Sequence, residues 1–345
     1  MKQKYDLICI GDTTVDAFIR LAQAKVFCPP GHRHKDCELC MPFGDKIPYE
    51  SLTVVPAVGN SSNVAVGSSR LGLRSAVFNA LGRDYFGKQV LDVYQKEKVG
   101  REFVKINRNL PTNYHFVLSF HAERTILIKH QEFEYFNISK IGDPPWIYFS
   151  SIGEHAIKLH HDLASYLEAH PGIKMGFNPG TFQLKFGAKK LARIYKRTHV
   201  LFVNREEAMK ILKINPSTRL PARQASLGQN VKILFKGLHK LGPKIIAITD
   251  GPAGAYASDG QCQYYIPIYP DPKPPTERTG AGDSFAAGFM AALVYELPVA
   301  SALKWGPVNA MSVVQQTGAQ RGLLTKRQLL DYLRKAPKHY QPKKL

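Results

Sequence analysis

The feature that most restricts the fold of this chain is an alternation of short apolar runs with longer segments of helical period. The runs have the length and residue types of buried strands, and polar turns separate them from the amphipathic segments. The predicted strands are Tyr5–Ile10, Arg74–Ala80, Trp146–Ser151, Lys174–Phe177, His199–Val203 and Lys244–Thr249. The predicted helices are Ser61–Leu71, Gly87–Glu97, Ile157–Glu168, Ala188–Lys196, Glu206–Leu212, Gly282–Tyr295, Ala300–Gln316 and Lys326–Arg334. This order favours an α/β fold with a doubly wound, mainly parallel sheet.

Two regions interrupt the alternation with additional strand patterns. They contain Tyr49–Val58 and the series Glu102–Ile106, Tyr114–Phe120 and Arg124–His130. Strands of this kind usually form a small sheet outside the main one, so we predict a small antiparallel β lid. The expected organisation is one domain over residues 1–335, with the lid at about 20–58 and 101–131. The basic tail at 336–345 is expected to be disordered.

The charge of the chain raises one alternative function. The 345 residues include 47 Lys+Arg against 27 Asp+Glu, a formal net charge of +20. Such an excess is typical of nucleic-acid-binding proteins, which makes that class an alternative. No helix-turn-helix, zinc-finger, RRM or KH signature accompanies the charge, so a nucleic-acid partner is not expected.

Membrane and export patterns are weak in this sequence. The longest apolar run, Phe285–Tyr295, is shorter than the ~18 residues that a spanning helix needs. The opening MKQKYDLICIG leads directly into a predicted strand, without the apolar segment of a signal peptide. We therefore expect a cytoplasmic protein with no membrane partner. The five cysteines are then not expected to form a disulfide framework.

The strongest motif is Thr279-Gly280-Ala281-Gly282-Asp283, which opens a helix of small residues. Exposed backbone N–H groups at a helix start, together with the helix dipole, form a site for an anion. An Asp in the first turn beside such a site is placed to accept a proton from a hydroxyl group. From spacing alone, a Gly-rich turn with an ordinary helix-start Asp remains the alternative.

Four polar segments follow predicted strands, where open α/β sheets bind their ligands. They are Gly11–Asp16, Val58–Asn63, Asn178–Thr181 and Asn204–Glu207. With these elements in this order, the chain resembles the ribokinase-like (PfkB) family of carbohydrate and nucleoside kinases over roughly residues 5–335. The Thr-Gly-Ala-Gly-Asp segment and the Phe-Ala-Ala-Gly sequence after it are the most specific part of this resemblance.

The resemblance implies roles for the residues that match the family motifs. Asp283 would be the general base for a primary hydroxyl, and the backbone of Gly280, Ala281 and Gly282 would form the anion hole. Asn204 and Glu207 match the family's Asn-x-x-Glu, with Glu207 organising Mg²⁺ through water.

The same resemblance implies two groups of binding residues. The sugar side contains Asp16, Gly59, Asn60 and Asn63. The nucleotide side contains Asn204, Thr249, Gly251, Gly254 and Asn309, the last near the adenine. Because phosphoryl transfer depends mainly on positioning and charge neutralisation, this small set is chemically sufficient.

Three departures from the family pattern affect substrate and cation binding. Gly59-Asn60 replaces a Gly-Gly turn, and Thr14 stands where ribokinases carry a sugar-binding Asn. Glu277-Arg278-Thr279 replaces Asp-Thr-Thr, which makes the monovalent-cation site doubtful. Arg278 is a hypothetical replacement for the charge of that cation.

The segment 28–40 lies outside the family pattern. Cys28, Cys37 and Cys40, with His32 or His34 between them, have the residue types of a tetrahedral Cys₃His zinc site. Free thiols on a lid loop are the alternative. A bound Zn²⁺ is expected to be a structural clamp, since kinase chemistry needs Mg²⁺ with oxygen ligands.

The resemblance thus implies a kinase that uses ATP and Mg²⁺ to phosphorylate the hydroxymethyl group of a ribose- or fructose-like sugar. A nucleoside kinase for an adenosine- or inosine-like acceptor is the alternative within the family, and a catalytically silent sugar sensor is the alternative outside it. ATP, GTP and ADP remain open as phosphate donors. The family also implies a homodimer through the lid.

Overall fold

The computed structural model describes residues 4–29, 37–121, 123–214 and 227–345. The strands are β1 (Leu7–Ile10), β2 (Thr14–Leu21), β3 (Lys25–Phe27), β4 (Glu38–Cys40), β5 (Tyr49–Val58), β6 (Ser75–Gly82), β7 (Gly100–Asn107), β8 (Tyr114–Phe120), β9 (Glu123–Leu127), β10 (Trp146–Phe149), β11 (Lys174–Phe177), β12 (Val200–Asn204), β13 (Ile245–Thr249), β14 (Ala255–Ser258), β15 (Gln263–Ile266) and β16 (Lys343–Lys344). The helices are α1 (Asn60–Arg70), α2 (Tyr85–Lys96), α3 (Ile157–Ala169), α4 (Thr181–Lys190), α5 (Ala192–Arg197), α6 (Arg205–Ile211), α7 (Leu227–His239), α8 (Ala281–Val294), α9 (Val299–Val314) and α10 (Lys326–Arg334).

A ten-stranded sheet organises the fold, in the order β16-β15-β14-β13-β12-β11-β10-β1-β6-β7. The strands from β7 to β13 run parallel, while β14, β15 and β16 are antiparallel to their neighbours. The central strands β1, β6 and β10 are fully buried because helices cover both faces of the sheet. The predicted doubly wound α/β fold is therefore confirmed.

Two hydrophobic cores lie on the two faces of the large sheet. One core contains the apolar residues of α1, α8 and α9, and the other contains those of α3, α5, α6 and α7. Strand order reverses beside β1, since β6 follows on one side and β10 on the other. The loops after β1 and β10 consequently diverge and open a crevice at the carboxyl ends of the strands.

A separate four-stranded sheet has the order β5-β2-β8-β9. The β2–β5 and β8–β9 pairs are antiparallel, and β2–β8 is parallel. The strand over 100–107, which we expected in this small sheet, instead pairs with β6 in parallel at the edge of the large sheet. Its alternating pattern reflects an edge position, where one face packs and the other meets solvent.

The prediction that the C-terminal tail at 336–345 is disordered is wrong. Tyr340 is fully buried and its hydroxyl donates to the Lys304 carbonyl at 2.7 Å. Residues 343–344 then extend the large sheet beside β15. The basic, proline-containing composition of the tail is typical of a disordered terminus. Burial of one aromatic side chain, Tyr340, nevertheless offsets the conformational entropy that is lost when the segment becomes ordered.

Two predictions of helices differ from the structure, at residues 188–196 and at α7. The predicted helix over 188–196 spans the end of α4 and most of α5, which meet at Leu191, and α4 itself is kinked at Gly187, whose φ is +77°. The helix α7 had no counterpart in the predictions. Within the described ranges, no helix combines the length and the apolar character that crossing a bilayer requires.

Candidate functional site

A polar cavity of about 270 Å³ lies between the large sheet and the small sheet. It receives side chains from the loop after β1, from the small sheet and from the starts of α1, α4 and α8. The lining residues are Asp12, Thr14, Asp16, Phe18, Val58, Gly59, Asn60, Asn63, His115, Ile126, Ile128, His130, Ser151, Thr181, Phe182, Thr279, Gly280, Asp283 and Ala319. The four predicted sugar-side residues and Asp283 thus share one cavity.

An apolar cavity of about 410 Å³ lies on the other side of the α8 start. Its lining residues are Thr249, Gly251, Pro252, Gly254, Ala255, Ile268, Tyr269, Asp271, Pro275, Arg278, Ala281, Gly282, Phe285, Pro307, Ala310, Met311 and Val314. A connecting cleft of about 110 Å³ lies between the two cavities, and Asn204, Glu207, Gly282 and Asp283 are among its lining residues.

Asp283 is held at the junction by two amide donors. Asn60 Nδ2 donates to Oδ1 at 2.8 Å, and Asn63 Nδ2 donates to Oδ2 at 2.7 Å. Asp283 is only 8% exposed, and burial raises its pKa above the usual range, while the two amides oppose this shift. The carboxyl group is therefore fixed in orientation at the border of the polar cavity and the cleft.

Gln320 orients Asn63 and was not found by sequence reasoning. Its Nε2 donates to Asn63 Oδ1 at 3.0 Å and to the Ala57 carbonyl at 2.6 Å. Because the oxygen of the Asn63 amide faces Gln320, its nitrogen must face Asp283. No local sequence pattern indicates a role for Gln320, which follows α9 and lies far from Asn63 in sequence.

Backbone conformation explains two of the site glycines. Gly59 has a φ of +111°, and a Cβ there would lie 2.6 Å from the Asp12 carbonyl oxygen. Gly280 has a φ of +77° and caps α8, and a Cβ there would lie 2.4 Å from the Cβ of Ala319. Both positions bring a helix start close to the cavity in a conformation that favours glycine.

The start of α8 presents backbone donors towards the cleft. The N–H groups of Gly282 and Asp283 belong to the first turn and have no intrahelical acceptor. The Ala281 N–H lies 3.4 Å from the Arg278 carbonyl oxygen, so it is already partly used. Gly280 borders the polar cavity, whereas Ala281 and Gly282 border the apolar cavity.

Asn204 and Glu207 form a capping box at the start of α6. Asn204 Oδ1 accepts from the Glu207 N–H and Glu207 Oε2 accepts from the Asn204 N–H, both at 2.8 Å. Burial raises the pKa of Glu207, and the hydrogen bond from the Asn204 backbone N–H opposes this shift. Both residues line the connecting cleft, and their side-chain oxygens are of the type that binds hard cations.

Asp12 was not selected from the sequence, yet it joins three segments around the polar cavity. Its Oδ2 lies 2.7 Å from His130 Nδ1 and accepts from the Gly153 N–H at 2.8 Å. The Tyr135 hydroxyl donates to Oδ1 at 2.6 Å. These contacts attach the chain that leaves β9 to the main sheet. The position of the Gly11-Asp12 pair directly after the first strand could have indicated a site residue, but the sequence analysis chose Asp16 from the same segment.

One predicted nucleotide-side residue, Asn309, lines neither of the two cavities nor the cleft. Asn309 is fully buried, its Nδ2 donates to the Ser284 carbonyl at 2.8 Å, and its Oδ1 accepts from the Leu324 N–H at 3.1 Å. It therefore joins α8 to the chain beyond α9, and its neighbours Ala310 and Met311 line the apolar cavity instead. Arg278 borders that cavity and makes no ion pair with the described residues. Glu277 accepts from the Thr279 hydroxyl and from the Gly318 N–H at 3.1 Å.

The proposed zinc ligands do not assemble. Cys28 and Cys37 form a disulfide that closes the β3–β4 hairpin, so the two sulfurs are not available as thiolates. Cys40 is a free, exposed thiol. The candidate ligands His32 and His34 lie outside the described residues. Elsewhere in the described chain, no three His, Cys, Asp or Glu side chains form a group able to hold a metal ion.

Comparison with known proteins gives consistent results. The profile described as pfkB family carbohydrate kinase matches residues 38–326. The chain is 24% identical over 292 residues to a probable fructokinase-7 of Arabidopsis thaliana, covering 75% of this chain and 78% of that protein. It is 23% identical over 281 residues to a nucleoside kinase of Methanothermobacter thermautotrophicus, covering 77% and 80% of the two chains.

Solved structures show the same fold. Arabidopsis thaliana ribokinase complexed with ribose and ATP superposes with a TM-score of 0.77 at 18% identity, covering 95% of this chain and 98% of that one. The family profile covers well over half of the chain. This chain therefore belongs to the PfkB family of carbohydrate kinases.

Proposed function

We propose that this chain transfers the γ-phosphoryl group of ATP to the hydroxymethyl group of a ribose- or fructose-like sugar, with Asp283 as general base. The observation that carries the proposal is the position of Asp283. Its carboxyl group borders both the polar cavity and the connecting cleft. A hydroxyl in the polar cavity would thus lie between the base and a phosphate in the cleft.

The surroundings of Asp283 support a proton-accepting role. The Asn60 and Asn63 amides hold both carboxyl oxygens, which limits the rotation of the group. Burial raises its pKa, and a carboxylate whose pKa lies above the usual range is a stronger base than an exposed one. Asp283 would take the hydroxyl proton as the oxygen attacks phosphorus, and the transferred group would leave ADP behind.

The start of α8 supports stabilisation of the transferred phosphoryl group. The free N–H groups of Gly282 and Asp283, and the positive end of the helix dipole, point where negative charge develops. The cleft offers Glu207 and Asn204 for Mg²⁺, with Glu207 acting through water. Bound Mg²⁺ would supply charge neutralisation at the phosphates.

The two cavities match the two substrates in chemistry. The apolar cavity lacks charged residues apart from Asp271 and Arg278, and its proline, alanine and methionine side chains suit a flat nucleobase. The polar cavity offers carboxyl and amide groups to hydroxyl groups. The small sheet would close over the polar cavity and exclude water, which would otherwise accept the phosphoryl group.

A nucleoside kinase is the second candidate, and one observation favours it. Phe18 and Phe182 line the polar cavity, and the Phe182 ring packs edge-on against His130 with ring centres 5.3 Å apart. These rings offer an apolar surface to a nucleobase, which a small sugar does not need.

A substrate panel tests the proposal. ADP release is measured with ATP and Mg²⁺ in the presence of ribose, fructose, adenosine, inosine and cytidine. We expect turnover with at least one acceptor at several times the rate of ATP hydrolysis without acceptor. Repeating the panel with GTP, read as GDP release, and with ADP, read as AMP release, identifies the donor. Nucleotide binding without turnover of any acceptor would favour the sugar-sensor alternative and contradict the proposed function.

A further inference from the structure

His115 lies on β8, opposite Asp16 on β2 in the parallel register. Side chains at paired positions of neighbouring strands project from the same face of a sheet. Both residues line the polar cavity, on the wall that the small sheet forms. His115 is only 9% exposed, so this imidazole is oriented towards the cavity rather than towards bulk solvent.

Two buried polar atoms of this pair lack partners. Asp16 Oδ1 and His115 Nε2 make no hydrogen bond with the described residues. The closest approach of the pair joins His115 Nδ1 and Asp16 Oδ1 at 3.5 Å, which is longer than an ordinary hydrogen bond. Buried polar atoms are nearly always paired in folded proteins, so an unpaired acid and imidazole in one cavity indicate a ligand with matching groups.

The neighbouring His130 differs from His115 in its hydrogen-bond partners. His130 borders the same cavity, with its ring centre 5.4 Å from that of His115. Its Nδ1 is already bonded to Asp12, which fixes the ring against the main sheet. The Nδ1 side of the His115 ring faces Asp16, and the Lys129 backbone also contacts this imidazole, but its buried Nε2 has no hydrogen-bond partner among the described residues.

The protonation of the pair supports contacts with hydroxyl groups. Burial lowers the pKa of His115 to about 4, which keeps the imidazole neutral, with one donor and one acceptor nitrogen. Burial, followed by the Glu277 charge, raises the pKa of Asp16 to about 7, while the Thr14 hydroxyl and Arg124 oppose the shift. A hydroxyl can donate to one group and accept from another, so it matches either protonation state.

The charge of the lining argues against an anionic acceptor. Asp12, Asp16 and Asp283 border the polar cavity, and the lining contains no Lys or Arg from the described chain. Arg124 acts on Asp16 from outside the lining. A phosphate or carboxylate in this cavity would therefore meet acidic groups without a compensating cation.

We propose that His115 is a specificity-determining residue, whose Nε2 binds a hydroxyl of an uncharged acceptor beside Asp16, in a cavity whose acidic lining rejects phosphorylated and carboxylated acceptors. The inference rests on the proposed function, because it names the acceptor class of the same cavity. It adds to that function a residue of the small sheet and a choice of acceptor charge.

The test combines binding and turnover. Isothermal titration calorimetry without nucleotide measures the binding of ribose, fructose, adenosine and cytidine, and of the anionic compounds ribonate and fructose 6-phosphate. The wild type is compared with His115→Phe, which keeps a ring but removes both nitrogens, and with His115→Gln, whose amide replaces Nε2. His161→Phe, on an exposed face of α3, is the matched control. Steady-state kinetics with ATP is measured on the same variants.

We expect the wild type to bind at least one uncharged compound, and to bind the anionic compounds at least about tenfold more weakly. One lost hydrogen bond corresponds to about a tenfold change in affinity. His115→Phe should therefore raise the KM of that acceptor about tenfold, with the KM for ATP unchanged and kcat within about threefold. His115→Gln should recover part of the loss, and His161→Phe should resemble the wild type.

Several outcomes would overturn the inference. They are a preference of the wild type for an anionic compound, no binding of any uncharged compound, and unchanged affinity in His115→Phe. A general loss of stability in His115→Phe would appear as a lower unfolding midpoint and a lower apparent kcat with both KM values unchanged, and would leave His115→Gln to decide the result. Uncharged binding that depends on His115, without turnover, would retain the inference and contradict only the proposed function.

Discussion

The polar cavity and the apolar cavity meet at the start of α8, yet the chain builds them in different ways. The apolar cavity is formed mostly by residues between 249 and 314, which are close in sequence. The polar cavity gathers residues from 12 to 319 and needs both sheets. A binding surface formed by one stretch of chain can be predicted from a sequence motif. The lining of a cavity formed by distant segments depends instead on how the two sheets are arranged.

The two cavities also differ in the kind of side chain that ligand binding requires. The apolar cavity needs shape and an apolar surface, so many residue types can serve there. The polar cavity needs particular groups at particular positions, such as the Asp283 carboxyl between two amides. Substitutions should therefore divide into those that affect one cavity and those that affect the junction between them.

The largest effect is expected at the junction. Asp283→Asn should reduce kcat by about 10²- to 10⁴-fold, because the amide cannot accept the hydroxyl proton. Acceptor and ATP binding should change little, since neither cavity is altered in shape. Calorimetry and initial rates measure the two effects. Asp92→Asn, on an exposed face of α2, is the matched control. Near-normal turnover in Asp283→Asn would remove the assigned base.

A bulky substitution in the apolar cavity should separate it from the polar cavity. Ala310→Phe should raise the KM for ATP about tenfold or more, since the ring occupies space in the cavity lining. Acceptor binding without nucleotide should remain as in the wild type. Ala300→Phe is the control, because Ala300 lies in the same helix and lines neither the two cavities nor the connecting cleft. Equal losses on both substrates would show that the two cavities are not independent.

Asp16 should give the polar cavity a characteristic pH dependence. Burial raises the pKa of Asp16 to about 7 in the folded chain, against 3.8 without that environment. The folded state thus binds more protons than the unfolded state between these values. The stability that this proton uptake contributes is fully present below pH ~4 and is lost as the pH rises through about 7.

Asp16→Asn removes that titration. The free energy of unfolding of the wild type should fall relative to that of the variant between pH 5 and pH 8, by roughly 1–3 kcal/mol. Urea unfolding of both proteins at the two pH values measures the difference. A constant difference between the two proteins across this range would contradict the raised pKa.

The smallest effect is expected at the β3–β4 hairpin. Cys28→Ser with Cys37→Ser should leave kcat and both KM values within about twofold, because neither residue lines a cavity of the site. Metal analysis of the wild type should find less than about a tenth of an equivalent of zinc. Stoichiometric zinc, or a large kinetic effect, would connect this hairpin with the polar cavity.

Local patterns were sufficient for the parallel sheet and for much of the site. The apolar runs at β1, β10, β11 and β12 are buried on both faces, so their sequences carry a strong strand signal. The Thr-Gly-Ala-Gly-Asp segment is equally local, because a helix start with small residues is set by neighbouring residues. The strand over 100–107 was predicted in the wrong sheet, since an alternating pattern is compatible with the edge of either sheet.

Short-range periodicity and turn chemistry were enough to predict a doubly wound sheet with Asp283 at a helix start. Three contacts became visible only in the folded chain: Gln320 orients Asn63, Asp12 holds His130 and Tyr135, and Asn309 joins α8 to the chain beyond α9. Each of these depends on hydrogen bonds between residues far apart in the chain, and no local pattern specifies which distant partner a polar side chain will meet.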